Sequence, residues 1–282
     1  MIKIISPGFY STVQDLGRIG YQHFGAPYSG VMDSYSTSLA NSLLGNAKNA
    51  AVIEMTMTGT KLEFSCNTSI CISGADMSPQ INSTEISINK YIPVKAGDVL
   101  SFGKLSMGYR CYLAVSGGID TEMVMKSRSM YKGITNRYVL AKNDALPISE
   151  DLDTSKKYAS VKFNKAHFSS ELIEVYKGPE FDKLSAVQIE RLCAAKFTIS
   201  NNNNRMGYQL EQELPNNLEA IITSLVKPGT IQLTPSGKLI VLMRDCQTTG
   251  GYPRILQLKE SSINALAQKY TGKSIYFKLL EY

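Results

Sequence analysis

Apolar and polar residues alternate in short runs along most of the chain. Ile2–Ile5, Lys61–Phe64, Ser69–Ser73, Val99–Phe102, Tyr109–Val115, Ile231–Leu233 and Leu239–Met243 are rich in β-branched and aromatic residues, and Gly, Pro, Asn and Ser bound them. A period of two turns one face of each run toward a core, so these segments are predicted strands. Short strands in such succession predict a barrel or sandwich rather than βαβ units. Three segments carry a helical period instead. Ser34–Leu44 follows Asp33, whose carboxylate suits an N-cap, and ends at Gly45-Asn46. Phe181–Ala195 places Leu184, Val187, Ile189 and Leu192 as its apolar positions. Ser261–Tyr270 does so with Ile263, Leu266, Ala267 and Tyr270, ahead of Gly272.

A weak internal repeat divides the pattern. Lys95-Ala-Gly-Asp-Val-Leu-Ser-Phe precedes Gly108, an apolar strand and Gly117-Gly118. Lys227-Pro-Gly-Thr-Ile-Gln-Leu precedes Gly237, an apolar strand and Gly250-Gly251. Arg18-Ile-Gly-Tyr21 is echoed by Arg205-Met-Gly-Tyr208. Two related β-rich halves follow, residues 1–160 and 161–282, with the boundary expected in the polar stretch Ser149–Ser170. A length of 282 residues suits two ordinary domains or one large one.

Composition narrows the function classes. A net charge of +6 with acids and bases interleaved, and no run of five Lys or Arg, argues against nucleic acid as partner. It suits an anionic small molecule or an acidic protein equally well. The five cysteines match no zinc spacing and read as small buried hydrophobes in a reducing compartment. Cys246 is set apart because it lies in an unusually polar segment. Two histidines are too few for a histidine metal centre, so no metal is expected. His23 could act as a base or simply pack. No phosphate-binding G-x-x-x-x-G-K-[ST] loop and no G-x-S-x-G elbow occurs. The N-terminus has no signal-peptide pattern and no apolar run is long enough to span a membrane, so a cytoplasmic protein without membrane contact is expected.

Four polar segments could carry chemistry. Ser11–Tyr21 sets hydroxyls, an amide, a carboxylate and the Arg18 guanidinium around two glycines. Such a set suits a carboxylate or phosphate, or a loop holding its own shape through an Asp15–Arg18 pair. Ser29–Asp33 precedes a helix, where Asp33 is a cap and Ser29 and Gly30 could face an anion. Asn201–Tyr208 contains the second Arg-x-Gly-Tyr. Arg244–Pro253 packs donors and acceptors beside Gly250-Gly251 straight after an apolar strand, more hydrogen-bonding capacity than a structural loop needs. Lys126, in Val124-Met-Lys-Ser127, lacks the flanks of a biotin acceptor.

Several motifs together resemble the biotin-dependent carboxyltransferase family. They are Pro7-Gly8, Thr12-Val-Gln-Asp-Leu-Gly-Arg18, Gly20-Tyr21, Ser29-Gly-Val-Met-Asp33, Ser73-Gly-Ala-Asp76, Ala114-Val-Ser-Gly-Gly-Ile-Asp120 and Ser127-Arg-Ser129. The C-terminal half adds Gly178-Pro-Glu180, Asn204-Arg-Met-Gly-Tyr208, Pro228-Gly-Thr-Ile-Gln232 and Gln247-Thr-Thr-Gly-Gly-Tyr-Pro253. The resemblance implies a mainly β fold with a few helices, built as tandem cyclophilin-like β-barrel domains. Members include the C subunit of ATP-dependent bacterial 5-oxoprolinase, the Kip-type antagonist of a sporulation-kinase inhibitor, and the carboxyltransferase region of urea carboxylase. A chain of this length, with no biotin-carboxylase or carrier region, most resembles the first.

That resemblance implies ATP-dependent cleavage of 5-oxo-L-proline to L-glutamate in a complex of three proteins. The partners would be a protein like the B subunit of 5-oxoprolinase and a third component, the A subunit. ATP would be bound by the assembly. Biotin enters only under the alternative, carboxyl transfer to urea or a similar amide; a third alternative is a non-catalytic regulator binding a kinase-inhibitor partner. Arg18 and Arg205 are then expected electrostatic clamps. Gln14, Gln247, Thr248 and Thr249 would hydrogen-bond the ring amide or a phosphoryl group. Asp15, Asp245 and Tyr252 would handle protons or orient the others. Gly20, Tyr21, Ser29, Asp33, Met206, Gly207, Tyr208, Gly250 and Gly251 complete the expected substrate surface. The chain departs from common members at Val31 and Met130, where Ala and Thr are usual; both bear on the shape of the pocket.

Overall fold

The computed structural model describes residues 1–149, 164 and 166–281. The chain is mainly β and divides into two compact units. One holds Met1–Gly17 and Ser29–Asn164; the other holds Arg18–Tyr28 and Lys165–Tyr282. The expected boundary at 160/161 lies outside the described residues. The segment Gln14–Tyr21, continuous in sequence, is therefore shared between two units.

In the first unit the alternating runs form two sheets. A six-stranded sheet runs in the order Ala145–Leu146, Ile2–Ser6, Lys61–Phe64, Val99–Phe102, Pro79–Ile81, Thr84–Glu85. A five-stranded sheet runs Tyr10–Gln14, Val52–Thr56, Met107–Val115, Thr68–Asp76, Ile92–Val94. Ile4, Leu62, Phe64 and Leu100 from the first meet Val13, Ile53, Ile72 and Leu113 from the second in one core. Among the described residues the strands of this unit form two sheets around a shared interior.

The other face of the five-stranded sheet is covered partly by the Ser34–Leu44 helix, as its period predicts. Leu39, Ala40, Leu43 and Leu44 pack on Val52, Cys71, Tyr112 and Ala114. Asp33 caps the helix: its carboxylate accepts from the Ser36 backbone N–H at 3.1 Å and the Ser36 hydroxyl at 2.7 Å. Gly45 closes it in the left-handed conformation, and Asn46 then donates to the Val115 carbonyl at 2.7 Å.

The second unit forms a closed barrel. Its strands follow one another around a barrel as Leu172–Lys177, Arg254–Leu258, Thr230–Leu233, Leu239–Leu242, Gly207–Leu210, Phe197–Asn203 and Ser274–Leu279. The last returns to the first in parallel pairing. The predicted Phe181–Ala195 helix is split into a 3-10 turn at Phe181–Lys183 and a helix at Ala186–Ala194. Ser185 interrupts it because its hydroxyl and Gln188 form a capping box. Val187, expected on the apolar face, is exposed. The third helix spans Glu260–Ala267.

The repeat does not carry through to pairing. Thr230–Leu233 pairs directly with Leu239–Leu242, whereas Val99–Phe102 and Met107–Val115 lie in different sheets. The Arg-x-Gly-Tyr echo also fails: Tyr208 is a buried strand residue, while Tyr21 precedes a 3-10 turn and is half-exposed.

Replacing the helix cap tests the first unit. Asp33→Ala is expected to lower stability by about 1–2 kcal/mol in urea unfolding, since two donors at the helix start lose their acceptor.

Candidate functional site

Each unit presents its own polar centre. In the first, the strand Tyr10–Gln14 delivers Asp15 to the Ser127–Met130 loop. One Asp15 carboxylate oxygen accepts from the Ser127 and Ser129 hydroxyls, both at 2.6 Å, and from the Gly17 N–H at 2.8 Å. The other accepts from the Arg128 N–H at 2.7 Å. The Asp15 N–H in turn donates to the Ser129 hydroxyl. These four donors tie Asp15 to Gly17 and to the Ser127–Met130 loop and hold the two segments in register. Gln14 beside it donates to the Thr12 hydroxyl at 3.0 Å and the Met130 carbonyl at 3.2 Å. Its amide oxygen is buried with no hydrogen-bond partner among the described residues.

Ser29–Asp33 lies in the same unit. Val31 N–H donates to the Asp15 carbonyl at 2.9 Å. Gly30 sits at φ +87, and a Cβ there would come within 2.9 Å of the Leu16 carbonyl carbon and the Gly17 nitrogen, so only glycine allows this approach. Ser29 is buried and adopts φ +54; its hydroxyl has no hydrogen-bond partner among the described residues.

The remaining expected residues lie in the second unit. Arg18 is buried, and its N–H donates to the Tyr28 carbonyl at 2.7 Å. Gln22 closes the turn, donating to the Arg18 carbonyl at 2.6 Å and accepting from Gly20 N–H at 3.0 Å. Gly20 is exposed and Tyr21 half-exposed. Arg205 and Asp245 form a bidentate ion pair at 2.8 and 3.0 Å, both largely buried. Asp245 N–H also donates to the Arg205 carbonyl, and Met243 N–H to the Met206 carbonyl. The two expected functional segments around Arg205 and Arg244–Pro253 are therefore adjacent, and their opposite charges neutralise each other. Met206 is exposed; Gly207 begins a strand; Tyr208 is core, its hydroxyl donating to the Lys269 carbonyl.

After Asp245 the chain forms a small antiparallel ribbon, Thr249–Gly250 against Ser224–Leu225. Gln247 and Thr249 are exposed, and so is Tyr252. A Cβ at Gly250 would lie 2.4 Å from the Gln232 amide nitrogen, so that side chain would have to shift. A Cβ at Gly251 would lie 3.2 Å from the Ile221 carbonyl. Beside the ribbon a cleft of about 710 Å³ is lined by Tyr28, Lys177, Lys227, Thr248 and Arg254 among others. Of the expected site residues only Thr248 lines it.

Arg254 is one residue that sequence reasoning did not single out. Its guanidinium makes two bonds to Glu180 at 2.9 and 3.0 Å and a third to the Leu225 carbonyl at 2.9 Å, anchoring the ribbon. The partner guanidinium, against an opposing effect of burial, holds the Glu180 carboxyl below its ordinary value. Glu54, Arg110 and Tyr112 were also missed. Glu54 and Arg110 are charges inside apolar strands, 1% and 2% exposed, a signal readable in the sequence. Cys246, by contrast, is buried beside Val226 and Leu242, and burial pushes its thiol up to about 12, so it is a packed thiol rather than a nucleophile. Cys71 and Cys111 are buried too, while Cys66 is half-buried and Cys193 exposed. His23 is exposed against the Phe24 ring. Among the described residues no cluster of three metal-binding side chains occurs, and no helix is long and apolar enough to cross a membrane.

With this geometry in view, comparison with known proteins assigns the class. The model of the carboxyltransferase domain, subdomain A and B, matches residues 24–279, and the chain belongs to that family. The chain is 33% identical to the C subunit of 5-oxoprolinase from Escherichia coli K12, over 98% of this chain and 90% of that one. It is 32% identical to urea amidolyase of Lachancea kluyveri, over 99% of this chain but 17% of that one. The crystal structure of the K. lactis urea amidolyase superposes with a TM-score of 0.89 at 28% identity, covering 99% of this chain and 19% of that one.

Two variants test the structural roles just described. Asp15→Asn replaces an acceptor for four donors with a group that itself donates; a loss of about 2–3 kcal/mol in urea unfolding is expected. Glu180→Gln concerns pH. A carboxyl held low in the folded state stabilises fully above its unfolded value near 4.5, and that stability is lost as pH falls through the lower folded value. The variant should therefore be less stable at pH 7 by about 1–3 kcal/mol and should show a shallower stability loss below pH 4.5.

Proposed function

We propose that the chain is the C subunit of an ATP-dependent 5-oxoprolinase, acting with B-like and A-like subunits to convert 5-oxo-L-proline into L-glutamate. The observation that carries this is the match to a 5-oxoprolinase C subunit: the chain is 33% identical to the one from Escherichia coli K12 over 98% of its own length. Five free cysteines fit a reducing, cytoplasmic setting.

In the reaction the ring C–N bond breaks, the carbonyl carbon gains hydroxyl from water, and the nitrogen gains a proton. The substrate offers an amide and a carboxylate. In this reading Gln247, Thr249 and Tyr252, exposed on the ribbon, contact it, and Thr248 does so from the neighbouring cleft. Within the same unit, Arg205 and Asp245 hold the base of the ribbon segment. ATP belongs to the assembly, and no step is routed through residues of this chain.

A second reading, carboxyl transfer from carboxybiotin to urea or a similar amide, is favoured by the near-equal 32% identity to a urea amidolyase across nearly the whole chain. Co-expression with the genomic neighbours decides between them. The first reading expects glutamate from 5-oxo-L-proline and ATP. Carboxylation of urea without glutamate formation replaces it with the second, and partner binding without turnover leaves a regulator. Within the active complex, Gln247→Ala is expected to lower kcat/KM about 10–100-fold, the scale of a lost transition-state hydrogen bond. Unimpaired activity in all of Gln247→Ala, Arg205→Ala and Arg18→Ala removes the site assignment.

A further inference from the structure

The helix-side face of the five-stranded sheet carries a row of polar side chains that the reading above leaves unused. Thr12 pairs with Glu54, Glu54 with Tyr112, and Tyr112 with Ser73, each directly across from the next. All four are at most 1% exposed. The next row toward the Ser34–Leu44 helix contains Val52, Ala114 and Cys71, which is what packing alone selects. Arg110 lies 4.0 Å from Glu54 and is itself 2% exposed. Burying a carboxylate in such a place costs several kcal/mol unless its oxygens are matched.

The match is a loop. Glu54 Oε2 accepts the Met32 N–H at 2.7 Å. Tyr112 Oη accepts the Asp33 N–H at 2.9 Å. With Val31 N–H on the Asp15 carbonyl, three consecutive amides of this loop are each held by a different strand or its continuation. Burial, reinforced by the Glu54 and Asp33 carboxylates, pushes the Tyr112 hydroxyl well up, so it stays neutral.

We propose that Glu54 and Tyr112 are positioning residues for the reaction: by accepting the Met32 and Asp33 amides they fix the Ser29–Asp33 loop, and with it the buried Ser29 hydroxyl and the Gly30 contact with Leu16–Gly17. The inference rests on the reading that this loop belongs to the substrate surface. The loop has reason to need an external hold. Ser29 occupies the left-handed region at φ +54, unfavourable for a serine, and Gly30 follows at φ +87. The Ser29 hydroxyl makes no hydrogen bond among the described residues that would keep this course. The two acceptors beneath, by contrast, sit on adjacent strands whose register is set by the sheet.

The test uses the full chain and the assembled complex. Tyr112→Phe removes one oxygen; Glu54→Leu removes the carboxylate at similar volume; Glu54→Gln keeps an acceptor oxygen. Backbone amide exchange at Met32 and Asp33 is expected to quicken about tenfold or more in Tyr112→Phe and Glu54→Leu, with the strand Thr68–Asp76 unchanged. The complex should lose about tenfold in kcat/KM for 5-oxo-L-proline, mainly through KM, and Glu54→Gln should return both measures to within about threefold of the parent. Unchanged exchange at the loop overturns the proposal, as does quickened exchange with kcat/KM within about twofold, or Glu54→Gln as damaging as Glu54→Leu. If Glu54→Leu fails to fold, Tyr112→Phe decides alone. If the parent complex makes no glutamate, the functional reading falls, and the exchange pattern with its glutamine rescue still decides the loop's dependence on these two side chains.

Discussion

A buried carboxylate needs every oxygen occupied, and the local order of this protein depends on how that need is met. Asp15, Asp33, Glu54, Glu180 and Asp245 are all mostly buried, and each takes hydrogen bonds that hold an irregular segment. Asp15 gathers the Ser127–Ser129 loop. Asp33 starts a helix. Glu54 holds Met32, Asp245 holds Arg205, and Glu180 holds the arginine that reaches the ribbon at Leu225. Removing one partner leaves a charge or its donors stranded, a larger loss than the net worth of the intact pair. Segments that would otherwise be mobile loops are thereby given one conformation.

This changes what acidic residues mean near a candidate site. Asp15 and Asp245 attract attention in sequence because they stand beside arginines and glycines, a grouping typical of chemistry. Their geometry shows carboxylates engaged by the protein itself, by four donors at Asp15 and by the Arg205 guanidinium at Asp245. Side chains with capacity left over are amides and hydroxyls: Gln247 and Thr249 at the surface, Gln14 Oε1 and Ser29 Oγ inside. Neutral groups of this kind discriminate by hydrogen-bond geometry at little electrostatic cost.

The strands were legible because period-two alternation is a local property, and Lys61–Phe64 and Val99–Phe102 appear with the bounds their pattern predicts. So was the Asp33-capped helix, whose start and stop signals lie within its own sequence. What was not legible depends on distance along the chain. The Ser127–Ser129 cage is more than a hundred residues from Asp15, and no spacing rule connects them. The closure of one unit as a barrel and the other as two sheets turns on which strands pair, and similar motif orders led to different pairings. The Ser185 break in a longer apolar pattern was readable in principle, because Ser185-x-x-Gln188 is a capping signal.

Glu54 and Arg110 show the value of a misfit. A strand residue that is charged, flanked by apolar neighbours and opposite another polar side chain contradicts the pattern that identifies the strand. Local disagreement of this sort marks places where something other than core packing sets the residue. Here the contradiction has a direct physical resolution: two loop amides need acceptors, and a carboxylate and a phenol on adjacent strands supply them. An apolar pair at these positions would pack the sheet face and leave Met32 and Asp33 with buried, unmatched N–H groups. The loop would then have to turn toward water, and the glycine contact at Leu16–Gly17 that depends on its course would be lost with it.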